Sequence, residues 1–181
     1  MTRSQVVAVV GMCLLVASCG TPGRVIQQAS PSPFSPESSF AVMPITYEDL
    51  RVGDKTDEEY AADKKDDTRW QDDKEMVSST FINHLLQEKG ITWAAPDAAE
   101  FRVVPRCSFI EPGFNVGVAR KATRVEVTVD IVAKDGTLLD QVWFKPAAGG
   151  GQFRGYTVRD RLGHASRVLA TEVGRYIRSR L

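Results

Sequence analysis

Between Ala122 and Gly136 the chain reads ATRVEVTVDIVAKDG, with apolar and polar residues in strict alternation. Val125, Val127, Val129 and Ile131 fall on one side, and Arg124, Glu126, Thr128 and Asp130 on the other. A period of two is what a half-buried strand requires. Asp135-Gly136 supplies a hairpin turn, and TLLDQVWFK at 137–145 is the returning strand. Upstream, EFRVVPRCSFIEPG sets Phe101, Val103, Cys107 and Phe109 against Arg102, Arg106 and Ser108. Pro105 interrupts that ladder and predicts an edge or bulged strand. SFAVMPIT at 39–46 is a short apolar run that predicts a first strand.

Two stretches change to the helical period. In MVSSTFINHLLQEKG, Val77, Phe81 and Leu85 recur at every fourth residue, and Ile82 and Leu86 widen the stripe. Asp72, with Glu75 three residues on, predicts the helix start, and Gly90 a left-handed stop. The last helix starts at Thr157, with Asp160 in the capping-box position. Val158, Leu162, Ala165, Leu169, Val173, Tyr176 and Ile177 form its apolar stripe. Arg159, Arg161, Arg167, Arg175 and Arg178 mostly flank that stripe, as solvated arginines on a core helix do. The order strand-helix-strand-strand-strand-helix predicts an α+β fold. The expected form is a two-layer α/β sandwich, a mixed or antiparallel sheet of about four strands with two helices on one face.

The segment from Tyr47 to Glu75 fits neither rhythm. It is almost wholly charged and polar, with both signs mixed. It predicts either a long surface loop with a short helix around Glu58 to Lys65 or a mobile excursion, and the fold is expected not to need the part from Asp54 to Asp67. Excursions of this length are often functional. Asp54, Asp57, Glu58, Asp63, Asp66 and Asp67 are therefore the candidate interaction residues. Calcium-loop spacing is absent from these carboxylates, and the expectation is a solvated charged loop with no metal.

The N-terminus follows another logic. Arg3 is a positive n-region, and Val6 to Val16 is an apolar run too short to span a bilayer. The run ends in Val16-Ala17-Ser18-Cys19, which resembles the lipobox of bacterial lipoproteins. That resemblance implies a signal peptide over 1–18, removal at Cys19 and diacylglycerol on its sulfur. Two or three acyl chains anchor stably, each buried CH2 contributing about 0.8 kcal/mol. Gly20 stands where an aspartate would favour the inner membrane. The lipoprotein sorting rule therefore implies the periplasmic face of the outer membrane in a Gram-negative cell. Residues 19–38, rich in Pro and Ser, predict a flexible tether with a reach of up to about 60 Å. Residues 39–181 are then the periplasmic domain.

Lys plus Arg and Asp plus Glu both number 23, for a formal net charge of zero. Such a balance suggests neither nucleic acid nor a strongly anionic surface as a partner. Of three cysteines, Cys13 lies in the signal and Cys19 carries lipid. Cys107 is left alone, with no disulfide partner and the expected role of a small buried hydrophobe. His84 and His164 lie on separate predicted helices without a His or Cys at the next turn, so no zinc site is expected. Gly149-Gly150-Gly151 is followed by no Gly-Lys-Ser/Thr, so no phosphate cradle is expected either.

FAVMPI, the helix ending LLQEKG, EPGFNVGVAR with Arg120, the hairpin VEVTVDIVAKDGTLLDQVWF and the terminal helix together resemble a group of bacterial envelope lipoproteins. That group carries a small periplasmic α/β domain of unknown function, similar in layout to penicillin-binding-protein activator and curli-secretion lipoproteins. The resemblance implies fold and compartment and carries over no catalytic residue. The expectation is a non-enzymatic, cofactor-free interaction or scaffolding module, held to the membrane through Cys19 and docking on an envelope protein. The alternative is an envelope enzyme or small-ligand carrier with its site at the Gly-rich loop.

Overall fold

The computed structural model describes residues 23–63, 67–116, 119–148 and 157–181. In chain order its elements are β1 (Arg24–Gln27), β2 (Ser39–Val42), β3 (Arg51–Val52), β4 (Lys55–Thr56), α1 (Asp57–Asp63), α2 (Asp67–Leu85), β5 (Thr92–Trp93), β6 (Phe101–Glu111), β7 (Phe114–Val116), β8 (Ala119–Lys121), β9 (Thr123–Ala133), β10 (Leu138–Phe144), β11 (Ala147–Ala148) and α3 (Val158–Arg180). The fold is α+β.

β9 is central because its alternation is unbroken. Val125, Val127, Val129 and Ile131 are at most 2% exposed. β10 and β6 flank it antiparallel, whereas β2 and β3 join β6 in parallel, so the sheet is mixed. Its strands run β1-β10-β9-β6-β2-β5. The four strands expected from the alternation are β2, β6, β9 and β10, at the middle of that order. The sheet is larger than four, because β1, β5 and the short β3, β4 and β11 also join it. These additions are two to four residues long, too short to show a period.

Pro105 lies inside β6, a strand paired on both sides. The amide of Met43 donates to the Val103 carbonyl, that of Thr46 to the Pro105 carbonyl, and that of Cys107 to the Thr46 carbonyl. The donor that Pro105 lacks therefore faces the gap between the end of β2 and the start of β3, where a sheet tolerates proline. The predicted bulge falls two residues on, between Cys107 and Phe109. It shifts the register, so Ile110 takes the buried position expected of Phe109, and Phe109 pairs with Glu126 on the other face. Cys107 is buried and packs as a hydrophobe. Burial pushes its thiol up to about 12, so the nucleophilic thiolate is scarce at neutral pH.

α2 and α3 cover one face of the sheet, and α1 is a third helix beside α2. α2 begins at Asp67 rather than Asp72, because Trp70, 1% exposed, anchors an additional first turn in the core. It ends at Leu85, short of Gly90. Leu86, expected in the apolar stripe, lies beyond the helix and is exposed. The chain then returns against α3. Arg178 Nη1 donates to Glu88 Oε2 at 2.7 Å, and a Cβ on Gly174 would come within 2.7 Å of the Glu88 side chain. α3 carries the predicted capping box between Thr157 and Asp160. Arg161 departs from the solvated pattern: 5% exposed, its Nε donates to Thr123 Oγ1 at 2.9 Å and its Nη2 to the Pro112 and Gly113 carbonyls. It pins the turn after β6 to the start of β9.

Residues 24–38 are part of the folded domain, not of a flexible tether. β1 pairs with β10 at one edge of the sheet. The chain then crosses past the C-terminal end of α3 to reach β2, on the far side of three intervening strands. Phe34 is 5% exposed, edge-on to Phe101 at 4.9 Å. Ser32 Oγ donates to the Arg180 carbonyl at 2.7 Å. Asp140, fully buried on β10, accepts from the Ala29 amide (2.9 Å), the Tyr176 hydroxyl (2.7 Å) and Arg180 Nε (2.8 Å). Arg180 Nη2 closes the circuit on the Ala29 carbonyl at 2.6 Å. The domain therefore begins by Arg24 rather than Ser39. The side chains of β1 are all exposed, and it is held to the sheet by its backbone and by the Gln27 side-chain amide, which donates to the Leu138 carbonyl, so hydrophobic pattern gives no sign of it.

Candidate functional site

The polar excursion is built, not loose. β3 and β4 form a hairpin turning at Gly53, whose φ of +64° is open to glycine. At its end Thr56 and Glu59 cap α1 reciprocally. The Thr56 amide donates to Glu59 Oε2 at 2.8 Å and the Glu59 amide to Thr56 Oγ1 at 3.2 Å. The apolar minority in the segment, Leu50, Val52 and Trp70, is buried in the core.

Asp57 is the hub. Trp70 Nε1 donates to its Oδ1 and Lys74 Nζ to its Oδ2, both at 2.6 Å. Lys74 is only 8% exposed and lies near the rings of Tyr47 and Trp70, at 5.7 and 5.8 Å. Tyr47 Oη donates to the Lys74 carbonyl at 2.8 Å, and burial pushes its phenol well above the ordinary range. Tyr60 stacks edge-on against Trp70 at 4.8 Å. An open cleft of about 270 Å³ lies over this cluster, lined by Tyr47, Asp49, Leu50, Arg51, Thr56, Asp57 and Glu58.

The six candidate carboxylates separate accordingly. Asp57 and Glu58 meet at the cleft. Asp54 is exposed at the hairpin turn, and Asp63 is exposed at the end of α1, paired with Lys55. Asp67 opens α2, and Asp66 lies outside the described residues. Both oxygens of Asp57 are engaged by cationic or N–H donors, so it is a structural acceptor, whereas Asp54 and Glu58 are exposed. Asp57→Ala is expected to cost about 2–3 kcal/mol by stranding Lys74 and the Trp70 N–H. Asp54→Ala should stay within about 0.5 kcal/mol of the parent. Urea denaturation of the two variants checks this difference. The same contacts overturn the expectation that the segment is dispensable to the fold.

A second groove lies on the outer side of the helices, about 300 Å³ and lined by His84, His164, Arg167, Val168, Thr171, Glu172 and Arg175. It brings together two histidines that the sequence separates by 80 residues. His84 Nε2 lies 3.4 Å from Thr171 Oγ1. Burial and then Arg167 lower the affinity of His164 for a proton. Burial raises the Glu172 carboxyl, opposed by Arg175. Among the described residues no three His, Cys, Asp or Glu side chains gather as a metal site. Cys19 and Gly149 to Gly151 lie outside the described residues.

No family model matches the chain, and no curated protein matches it in sequence. Several solved structures are similar in shape. A Xanthomonas campestris protein assigned to the family model DUF330 is 11% identical over 87% of this chain and 94% of its own, with a TM-score of 0.52. A hypothetical protein from Chlamydia trachomatis is 10% identical over 78% of this chain and 98% of its own, at 0.49. PelC from Paraburkholderia phytofirmans, described as a dodecamer, is 15% identical over 87% of this chain and 98% of its own, at 0.48. The likeness to the Xanthomonas protein shows the fold alone.

Proposed function

We propose that this chain is a lipoprotein anchored at the periplasmic face of the outer membrane of a Gram-negative cell. Its domain acts as a non-catalytic interaction or scaffolding module, with no cofactor. The observation that carries the reading is Val16-Ala17-Ser18-Cys19, closing an apolar run immediately before a folded domain. A lipobox in that position leaves Cys19 as the new N-terminus with the whole domain outside the bilayer. No helix among the described residues is long and apolar enough to cross a membrane.

The interaction role is supported by the way the excursion is held. The Asp57–Lys74–Trp70 cluster fixes α1 and the hairpin to the core, so Asp54, Glu58 and Asp63 are displayed on a rigid frame. Such charges steer a partner and set association rate more than they add affinity. The partner is an envelope protein with a complementary basic surface. Cys19→Ala is expected to abolish lipid attachment and move the protein from the outer-membrane pellet to the soluble periplasmic fraction, with the Tm of the domain unchanged. Mass measurement of the N-terminal peptide and fractionation check this. A Cys19→Ala protein that still sediments with the outer membrane overturns the anchor.

A further inference from the structure

If Cys19 carries the lipid, the consequence of folding residues 24–38 into the domain is a short leash. Cys19 precedes Arg24, the first residue of the sheet, by five positions. Five residues fully extended span at most about 18 Å. The anchored domain cannot stand off from the bilayer; its β1 edge is held beside the headgroups.

The surface at that edge suits such a neighbour. The face of the sheet away from α2 and α3 has one row running Arg24, Trp143, Thr128, Arg106 across β1, β10, β9 and β6. Its ion pairs are layered. Arg106 is paired with Asp130 at 2.7 Å, with side-chain exposures of 47% and 15%. Lys145 and Arg124 share Glu126 at 3.1 and 3.2 Å, the cations 43% and 38% exposed and the carboxylate 19%. Lys121 and Glu111 repeat the arrangement, 55% against 15%. The carboxylates are recessed and the cations stand outermost. Trp143, an aromatic suited to the boundary between water and lipid, carries Lys145 Nζ at 5.4 Å from its ring. Ile26 is exposed on β1, on the strand nearest the leash, whereas Val25, opposite the buried Val142, lies on the helical side. Cationic tips around an aromatic side chain, with an exposed aliphatic one at the β1 edge, match a layer of anionic phosphates over acyl chains.

Resting on the lipoprotein reading, we infer that the open face of the sheet, from β1 across β10 and β9, lies flush on the phospholipid headgroups of the leaflet that holds Cys19. The excursion around Asp57 and the helical layer are then left for protein partners.

The test uses the full lipidated protein in vesicles of phosphatidylethanolamine and phosphatidylglycerol, with or without a headgroup spin label. Trp70 is buried in the core, and Trp93 lies on β5, at the opposite edge of the sheet. The label is expected to remove roughly half of the Trp143 emission, because contact places the indole at the lipid boundary. Trp143→Phe should abolish the label-dependent loss. Protein that floats with the vesicles but shows equal emission with and without label overturns the docked face and leaves the anchor standing. Label-dependent loss that persists in Trp143→Phe also overturns it. Protein that carries no lipid and does not float overturns both readings.

Discussion

Val127→Asp is expected to leave the domain unfolded at 25 °C, whereas Thr128→Asp, one residue on, folds with nearly parental stability. Val127 is 0% exposed on the central strand and belongs to the core cluster with Leu162, Leu169 and Val173 of α3. A carboxylate there loses its hydration and finds no partner among aliphatic neighbours. Burying it costs several kcal/mol, even after it protonates, on top of the lost valine packing. That sum is comparable to a total stability of about 5–15 kcal/mol. Thr128 points to the opposite face, between Arg106 and Trp143. A carboxylate at 128 gains a guanidinium neighbour and remains hydrated, so its effect should stay within about 1 kcal/mol. Circular dichroism and urea melts of the two variants measure the contrast. Equal stability would mean that the strand register is wrong.

What made β9 legible was its two-sided environment. Helices on one face and water on the other impose opposite chemistry on adjacent positions, and eleven residues are enough to display it. β6 obeyed the same rule until its bulge, and there the reading of Phe109 failed by a single register shift. α3 was legible from its stripe and its cap, yet Arg161 and Arg180 could not be read from periodicity. Their partners, Thr123 and Asp140, lie 38 and 40 residues away. Residues 24–38 failed for a different reason. β1 is bound mainly through its backbone, which every residue but proline offers equally, and proline- and serine-rich composition hid one anchoring phenylalanine. The excursion failed likewise. In a segment so polar, Asp57 looks like any other acid, and only the fold shows that Trp70 and Lys74 converge on it. At the cleft, then, periodicity and composition could not separate Asp57, a structural acceptor, from the surface acids around it.

Asp140→Ala is expected to destabilise the domain by about 3–5 kcal/mol, the cost of removing one member of a buried ion pair. Asp140 is fully buried and the Arg180 side chain is 11% exposed. Without the carboxylate, the Arg180 guanidinium loses its counter-ion, and the Tyr176 hydroxyl and the Ala29 amide each lose an acceptor. Arg180 retains the Ala29 carbonyl and its position over the Phe34 ring, at 5.6 Å, but no counter-ion from β10. At about 2–4 °C per kcal/mol for a domain of this size, the Tm should fall by roughly 10 °C. The loss should also be directional. Asp140 ties three parts of the chain, namely β10, the end of α3 and the crossing segment after β1, and only the last lacks other extensive burial. Limited proteolysis of the variant should therefore cut first between Gln28 and Ser38, while β6, β9 and α3 stay protected. Arg180→Ala should reproduce the cleavage pattern, and the double variant should lose less than the sum of the two, since coupled buried partners depart from additivity by about 0.5–3 kcal/mol. Additive losses, or first cleavage within the Asp54 to Asp63 segment instead, would show that the crossing segment is held by something other than this carboxylate. With the crossing segment free, β1 still pairs with β10 through its own hydrogen bonds, and Cys19 still precedes Arg24 by five positions. Label-dependent loss of Trp143 emission should therefore persist in the Asp140→Ala variant, which separates the hold on the crossing segment from the docked face.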